Sequence, residues 1–116
     1  MKSLGIDILP SGNNRASRTV ELSGYLDAGA VSHLDERLRE TIGAEIERLV
    51  IRMENLSYIS SAGIGLLMAW AQRLRTRGGR VILIRPTGKI HKILHMLGFT
   101  RVLQIADSEE ESASAP

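Results

Sequence analysis

The chain has 116 residues, a length suited to one domain, with 43% apolar residues to build a core but only 3% aromatic ones. It contains no cysteine, which excludes disulfides and thiolate chemistry. Lys plus Arg exceed Asp plus Glu by 15 to 13, a formal charge of +2, too close to balance to draw the chain toward nucleic acid.

In chain order, Leu4, Ile6 and Ile8 alternate as in a half-buried strand. Pro10-Ser11-Gly12-Asn13-Asn14 is a turn cluster and Thr19-Val20-Glu21-Leu22-Ser23 alternates again, so residues 3 to 24 are expected to form a hairpin. Asp27 is placed to cap a helix, because Val31, Leu34, Leu38 and Ile42 follow at spacings of 3, 4 and 4 and make one apolar stripe. Leu49 to Met53 is an apolar strand interrupted by Arg52, a run that suits cover on both faces. A short loop is expected next, then the pair Ser60-Ser61 and a helix from Ala62 to Arg77 that Gly78-Gly79 ends.

Val81 to Ile84 predicts a strand, stopped by Pro86. Thr87 or Gly88 opens a third helix with Ile90, Ile93, Leu94 and Leu97 on one face, closed by Gly98. Val102, Leu103 and Ile105 suggest a short last strand. The order is ββαβαβα(β). It implies an α/β fold: a mixed sheet of four to five strands with helices packed against it and right-handed crossovers. Residues 1–107 form the domain. Residues 108–116 carry Glu109, Glu110 and Glu111, show no apolar period, and are expected to be a disordered acidic tail.

The N-terminus has no apolar h-region, and the longest apolar run, Ala62 to Ala71, is ten residues, too short to span a bilayer. A cytoplasmic domain without membrane attachment is expected. Residues 73 to 92 carry Arg73, Arg75, Arg77, Arg80, Arg85, Lys89 and Lys92 with no acid among them. One Trp, two Tyr and one Phe supply no stacking platform for single-stranded nucleic acid, so this basic run reads as a solvated face or a rim for an acidic partner.

Other chemistry is thin. His91 and His95 are four apart on a helix, a spacing that can hold zinc, but no Cys or acid lies nearby and no metal is expected. Thr87-Gly88-Lys89 lacks the first glycine of a phosphate loop, and Gly63-x-Gly65 lacks the third of a dinucleotide loop, so no cofactor is expected. Asp27, His33 and Asp35 lie on or beside the first helix with nothing to bring them to Ser61, so no enzyme activity is expected.

The serine pair carries the remaining signal. A serine at a helix start ordinarily caps it by accepting a backbone N–H, worth about 1 kcal/mol. The other reading is a regulated phosphoacceptor, because a phosphate there meets the positive end of the helix dipole. Ile64, Leu67, Ala71 and Leu74 make one face of the helix, enough for a core, while Leu66, Met68 and Trp70 are apolar and point elsewhere. A helix apolar nearly all round in so small a domain suggests a surface kept for a partner.

Tyr58-Ile59-Ser60-Ser61-Ala62-Gly63-Ile64-Gly65 resembles the signature of STAS domains (sulphate transporter and anti-sigma factor antagonist). Leu22-Ser23-Gly24-Tyr25-Leu26-Asp27, Val81 to Pro86 and Ile93-Leu94-His95-Met96-Leu97-Gly98-Phe99 are similar to other parts of the family in order and spacing, so the likeness spans roughly residues 4 to 107. The resemblance implies an anti-sigma factor antagonist that works by partner switching. Unphosphorylated, it would bind an anti-sigma factor with serine kinase activity; phosphorylated on the helix-start serine, it would let go, and a serine phosphatase would restore it. That serine falls on Ser61, with Ser60 as the alternative acceptor. Asn55, Leu56, Ser57, Tyr58, Ser60, Ala62, Gly63, Ile64, Leu66 and Leu67 would form or shape the docking surface of a monomer or weak dimer. Ser60 and Arg52 stand where many phosphorylated members carry Asp, which motivates a second reading: an unphosphorylated STAS scaffold in a stress-signalling or transporter complex.

Overall fold

The computed structural model describes residues 3–9, 15–101 and 103–107. Strand β1 (Leu4–Leu9) pairs antiparallel with β2 (Ser17–Leu26), from Leu4 opposite Gly24 to Leu9 opposite Thr19. The hairpin is therefore present; its turn cluster, Pro10 to Asn14, lies outside the described residues. Gly24 sits at φ +84°, and a Cβ there would collide with the Ser3 carbonyl oxygen, so the strand closes on β1 only with glycine at this position.

Helix α1 (Val31–Thr41), strand β3 (Arg48–Ile59), helix α2 (Ser61–Arg75), strand β4 (Arg80–Ile84), helix α3 (Gly88–Met96) and strand β5 (Gln104–Ala106) follow. The described strands form one sheet in the order β1-β2-β3-β4-β5, with β2 to β5 parallel. The element order and the mixed α/β sheet match the pattern read from the periodicity. The acidic segment 108–116 lies outside the described residues.

Alternation divides the sheet into two faces. Val20, Leu22, Leu49, Ile51, Met53, Val81 and Leu83 pack with Leu34 and Leu38 of α1, with Ile64, Leu67, Trp70, Ala71 and Leu74 of α2, and with Ile90 and Leu94 of α3 in the main core. Val50, Ile82, Ile84 and Ala106 form a second cluster of strand residues alone. The central strands are thus buried on both faces, as a near-continuous apolar run requires.

Several local expectations are corrected. Asp27 caps a short 3-10 turn (Ala28–Ala30), accepting the Ala30 N–H at 3.0 Å, and α1 starts from Ala30 without a side-chain cap. The loop expected after Met53 is strand: β3 continues to Ile59. Trp70 does not point away from the core; it is 2% exposed. Leu97 leaves the α3 stripe because the helix ends at Met96, and Leu97, as its C-terminal cap, is exposed.

Candidate functional site

The site is built where β3 outruns its neighbour. β4 pairs with β3 from Arg48 to Arg52; beyond that, among the described strands, β3 pairs only with β2, up to Ile59 opposite Leu26. The register shifts twice along this stretch, between Glu21 and Ser23 and between Gly24 and Tyr25, each time giving β3 an extra residue. Such bulges re-aim side chains. Leu56 and Ile59 turn into the core, while Asn55, Ser57 and Tyr58 stand exposed. The second shift brings Tyr58 opposite Tyr25, with ring centroids 6.0 Å apart and planes tilted by 32°.

The strand then turns into α2 through Ser60. The Ser60 N–H donates to the Leu26 carbonyl at 2.9 Å, its carbonyl accepts the Ile64 N–H at 2.9 Å, and its Oγ accepts the Gly63 N–H at 3.1 Å. Ser60 is the N-cap, in extended conformation, and its hydroxyl is engaged. Ser61 is the first residue of α2 and is exposed. The two serines therefore separate into a structural one and an available one.

Gly63 fixes how closely this turn approaches the sheet. A Cβ there would lie 2.9 Å from both Ile59 Cγ1 and Leu26 Cγ, too close for any side chain without repacking. Gly65 has open space where its Cβ would be. Ser61, Ala62 and Gly65 are exposed and Leu66 is partly buried, so they continue the surface begun by Asn55, Ser57 and Tyr58. Leu56, Gly63, Ile64 and Leu67, expected to form or shape that surface, are buried and lie beneath it.

The cleft at this surface is small. A cleft of about 60 Å³ lies between β3 and α3, lined by Ser57, Tyr58, Ile59, Lys89, Ile90 and Ile93. Pockets for drug-sized ligands start near 300 Å³. The first turn of α2 contains no acid, so a phosphate on Ser61 would meet the positive end of a 15-residue helix without a like charge from that turn. His91 and His95 are both exposed on α3. No helix among the described residues is long and apolar enough to cross a membrane.

Two residues at this surface escape sequence reasoning. Tyr25 reaches Tyr58 only through the bulges, which leave no mark in the periodicity. Lys89 comes to the cleft because α3 packs behind β3; its place in a basic run was visible, its neighbours were not.

The model of the STAS domain family matches residues 11–112. The anti-sigma F factor antagonist of Paenibacillus polymyxa is 26% identical over 98 residues, 84% of each chain. Among solved structures, the anti-sigma factor antagonist SpoIIAA in its unphosphorylated form superposes with a TM-score of 0.77 at 24% identity over 91% of each chain. SpoIIAA of Bacillus in its phosphorylated form does so with a TM-score of 0.73 at 24% identity, over 91% of this chain and 95% of that one. At such identity these two likenesses establish the fold.

Proposed function

We propose a function from one premise: the chain belongs to the STAS domain family. It acts as an anti-sigma factor antagonist, as its relative from Paenibacillus polymyxa is named. It is a binding protein without catalysis of its own and works in the cytoplasm. Its docking surface is the exposed run of Asn55, Ser57, Tyr58, Ser61, Ala62 and Gly65. Phosphorylation of Ser61 ends the docking.

The observation that carries this reading is the division between the serines. Ser60 has its hydroxyl engaged in the helix cap, whereas Ser61, one residue later, is exposed. A phosphate on Ser61 adds nearly two negative charges where the helix dipole tolerates them, so the fold persists while a docked partner is repelled. The partner would be an anti-sigma factor with serine kinase activity, and a serine phosphatase would restore binding.

The test is affinity capture from the native host with wild type and Ser61→Ala as baits, with phosphate mapped on the wild-type bait. A kinase-like protein held better by Ser61→Ala, with phosphate on Ser61, is the expected result. Ser61→Glu should then bind at least about tenfold more weakly than Ser61→Ala, a difference of about 1.4 kcal/mol. A partner held equally by all three, with no phosphate on either serine, would replace the switch with a permanent scaffold.

A further inference from the structure

The described sheet ends at β1 in an open edge, and the outward backbone groups of that edge follow one parity. Extending the β1–β2 register by one row sets Ser3 opposite Tyr25, and the Tyr25 N–H donates to the Ser3 carbonyl at 2.9 Å. Hydrogen-bonded and non-hydrogen-bonded rows alternate along an antiparallel pair. Gly5, Asp7 and Leu9 therefore turn their N–H and C=O groups toward β2, and Leu4, Ile6 and Ile8 turn theirs outward. The far side of β2 agrees with this alternation: the carbonyl of Leu26, the residue after Tyr25, accepts the Ser60 N–H from the β3 side at 2.9 Å. Among the described strands none stands beyond β1.

Leu4, Ile6 and Ile8 are also the residues whose side chains lie on the helix-covered face, each partly buried against the main core. An open edge of this kind invites a further strand, and proteins blunt it with lysine, proline or a bulge. β1 has none of these: it reads Leu-Gly-Ile-Asp-Ile-Leu over six residues and pairs with β2 without a register shift. Its one charge, Asp7, already faces Glu21 of β2, so a strand added outside must offer Asp7 something other than a carboxylate.

We propose that β1 pairs antiparallel with β1 of a second copy of this chain, about a two-fold axis at Ile6. Ile6 then stands opposite Ile6 and Leu4 opposite Ile8, each pair exchanging both N–H···O=C bonds through the outward groups. The apolar row runs unbroken across the junction, from one helix-covered face to the other. On the opposite face Asp7 meets Gly5 of the second copy, the residue of the strand that offers neither charge nor bulk. Other registers satisfy less. A slide of one residue sets outward groups against inward ones. A slide of two residues one way sets Asp7 opposite Asp7 and Leu4 opposite Pro10, which has no N–H. A slide of two the other way carries Ile8 to Lys2, beyond the strand. The strand is thus complementary to itself in one register, which identifies a second copy as the occupant. The contact is isologous, so it closes at a dimer and builds no fibre.

The test uses the full unphosphorylated chain. Amide hydrogen exchange is read residue by residue by nuclear magnetic resonance at two concentrations about a hundredfold apart, with the mass taken by sedimentation equilibrium at each. Pairing predicts a mass that rises toward the dimer and exchange at Leu4, Ile6 and Ile8 that is severalfold slower at the higher concentration. Exchange at Gly5, Asp7 and Leu9, whose amides already face β2, should change far less. Ile6→Pro removes the outward donor at the axis, a substitution that edge strands accept. It should hold the mass at that of the monomer while Asp7 and Leu9 stay protected; the wild-type exchange pattern decides even where this variant fails to fold. A mass independent of concentration overturns the proposal. A dimer that a folded Ile6→Pro leaves intact does so too, by moving the contact elsewhere. Slow exchange at Leu4, Ile6 and Ile8 in a monomer would make another part of the same chain the occupant, and slowing only on addition of the captured partner protein would give the edge to that partner; either outcome overturns self-pairing.

Discussion

The indole N–H of Trp70 donates to Asp35 Oδ1 at 3.0 Å, joining α2 to α1 through two residues 35 positions apart in the chain. Arg39 donates from Nε to the other carboxylate oxygen at 2.9 Å, and the Arg73 guanidinium lies 4.4 Å from the centre of the Trp70 ring. The Asp35 carboxyl is held below its ordinary range. The Arg39 hydrogen bond contributes most; desolvation opposes it; the Trp70 hydrogen bond and the charges of Arg39 and Arg73 add to the lowering. A depressed carboxyl binds fewer protons in the native state than in the unfolded one between its two pKa values, so stability rises with pH there. The contribution is complete above the unfolded value of about 3.9 and is lost as pH falls through the lower native value. Urea midpoints of wild type and Asp35→Asn should therefore differ by a constant amount above about pH 5 and converge below about pH 4. A gap that stays constant down to pH 2 would contradict this assignment.

The two glycines after the serine pair should respond in opposite directions. Gly63→Ala forces a methyl against Ile59 and Leu26, and overpacking of this kind costs about 1–3 kcal/mol. Gly65→Ala meets open space in a helix interior and should gain up to about 1 kcal/mol. Thermal unfolding of the two variants distinguishes the cases. If Gly65 belongs to the docking surface, the stabilised variant should nonetheless bind the partner less tightly.

Most of the architecture is legible in the sequence because it rests on local signals. The alternation of Leu4, Ile6 and Ile8, the stripe of Leu34 and Leu38 and the breaks at Gly78 and Pro86 each report an element without reference to the others. The misses come from tertiary context. Asn55, Ser57 and Tyr58 are polar enough to resemble a loop, yet pairing with β2 keeps them in strand. Trp70 is the exception: it lies on the same face of α2 as Leu67, Ala71 and Leu74, so periodicity places it in the core, and only the partner of its polar edge, Asp35, needs tertiary context. The serine pair was legible at the helix start, and the choice of Ser61 within it came from the family resemblance. The different surroundings of the two serines were not legible, because they depend on which hydroxyl reaches the Gly63 N–H.

That separation makes the serines experimentally distinct. Ser60→Ala removes the N-cap and should cost about 0.5–2 kcal/mol of stability, whereas Ser61→Ala should be close to neutral in chemical denaturation. Phosphate transfer should show the reverse pattern. With the captured kinase and ATP, Ser61→Ala should take up no phosphate, while Ser60→Ala should still be modified. Phosphate retained by Ser61→Ala and lost from Ser60→Ala would reassign the acceptor to Ser60 and require the cap to open during transfer.

Tyr58 separates docking from folding. It is 45% exposed, and its described ring contact is with Tyr25, a pair worth about 0.5–1.5 kcal/mol. Tyrosine is enriched among the few interface residues that carry most of the binding energy. Tyr58→Ala should therefore lose little stability yet raise the dissociation constant for the captured partner at least about tenfold, or about 1.4 kcal/mol. Gln72→Ala serves as the control: Gln72 is exposed on α2 but lines a separate cleft with Arg75 and Thr76 and should leave affinity unchanged. Titration calorimetry on both variants reads the difference. Equal loss in both would mean that the partner covers α2 along its whole length. Loss in Gln72→Ala alone would move the docking surface to the C-terminal end of the helix, away from Ser61.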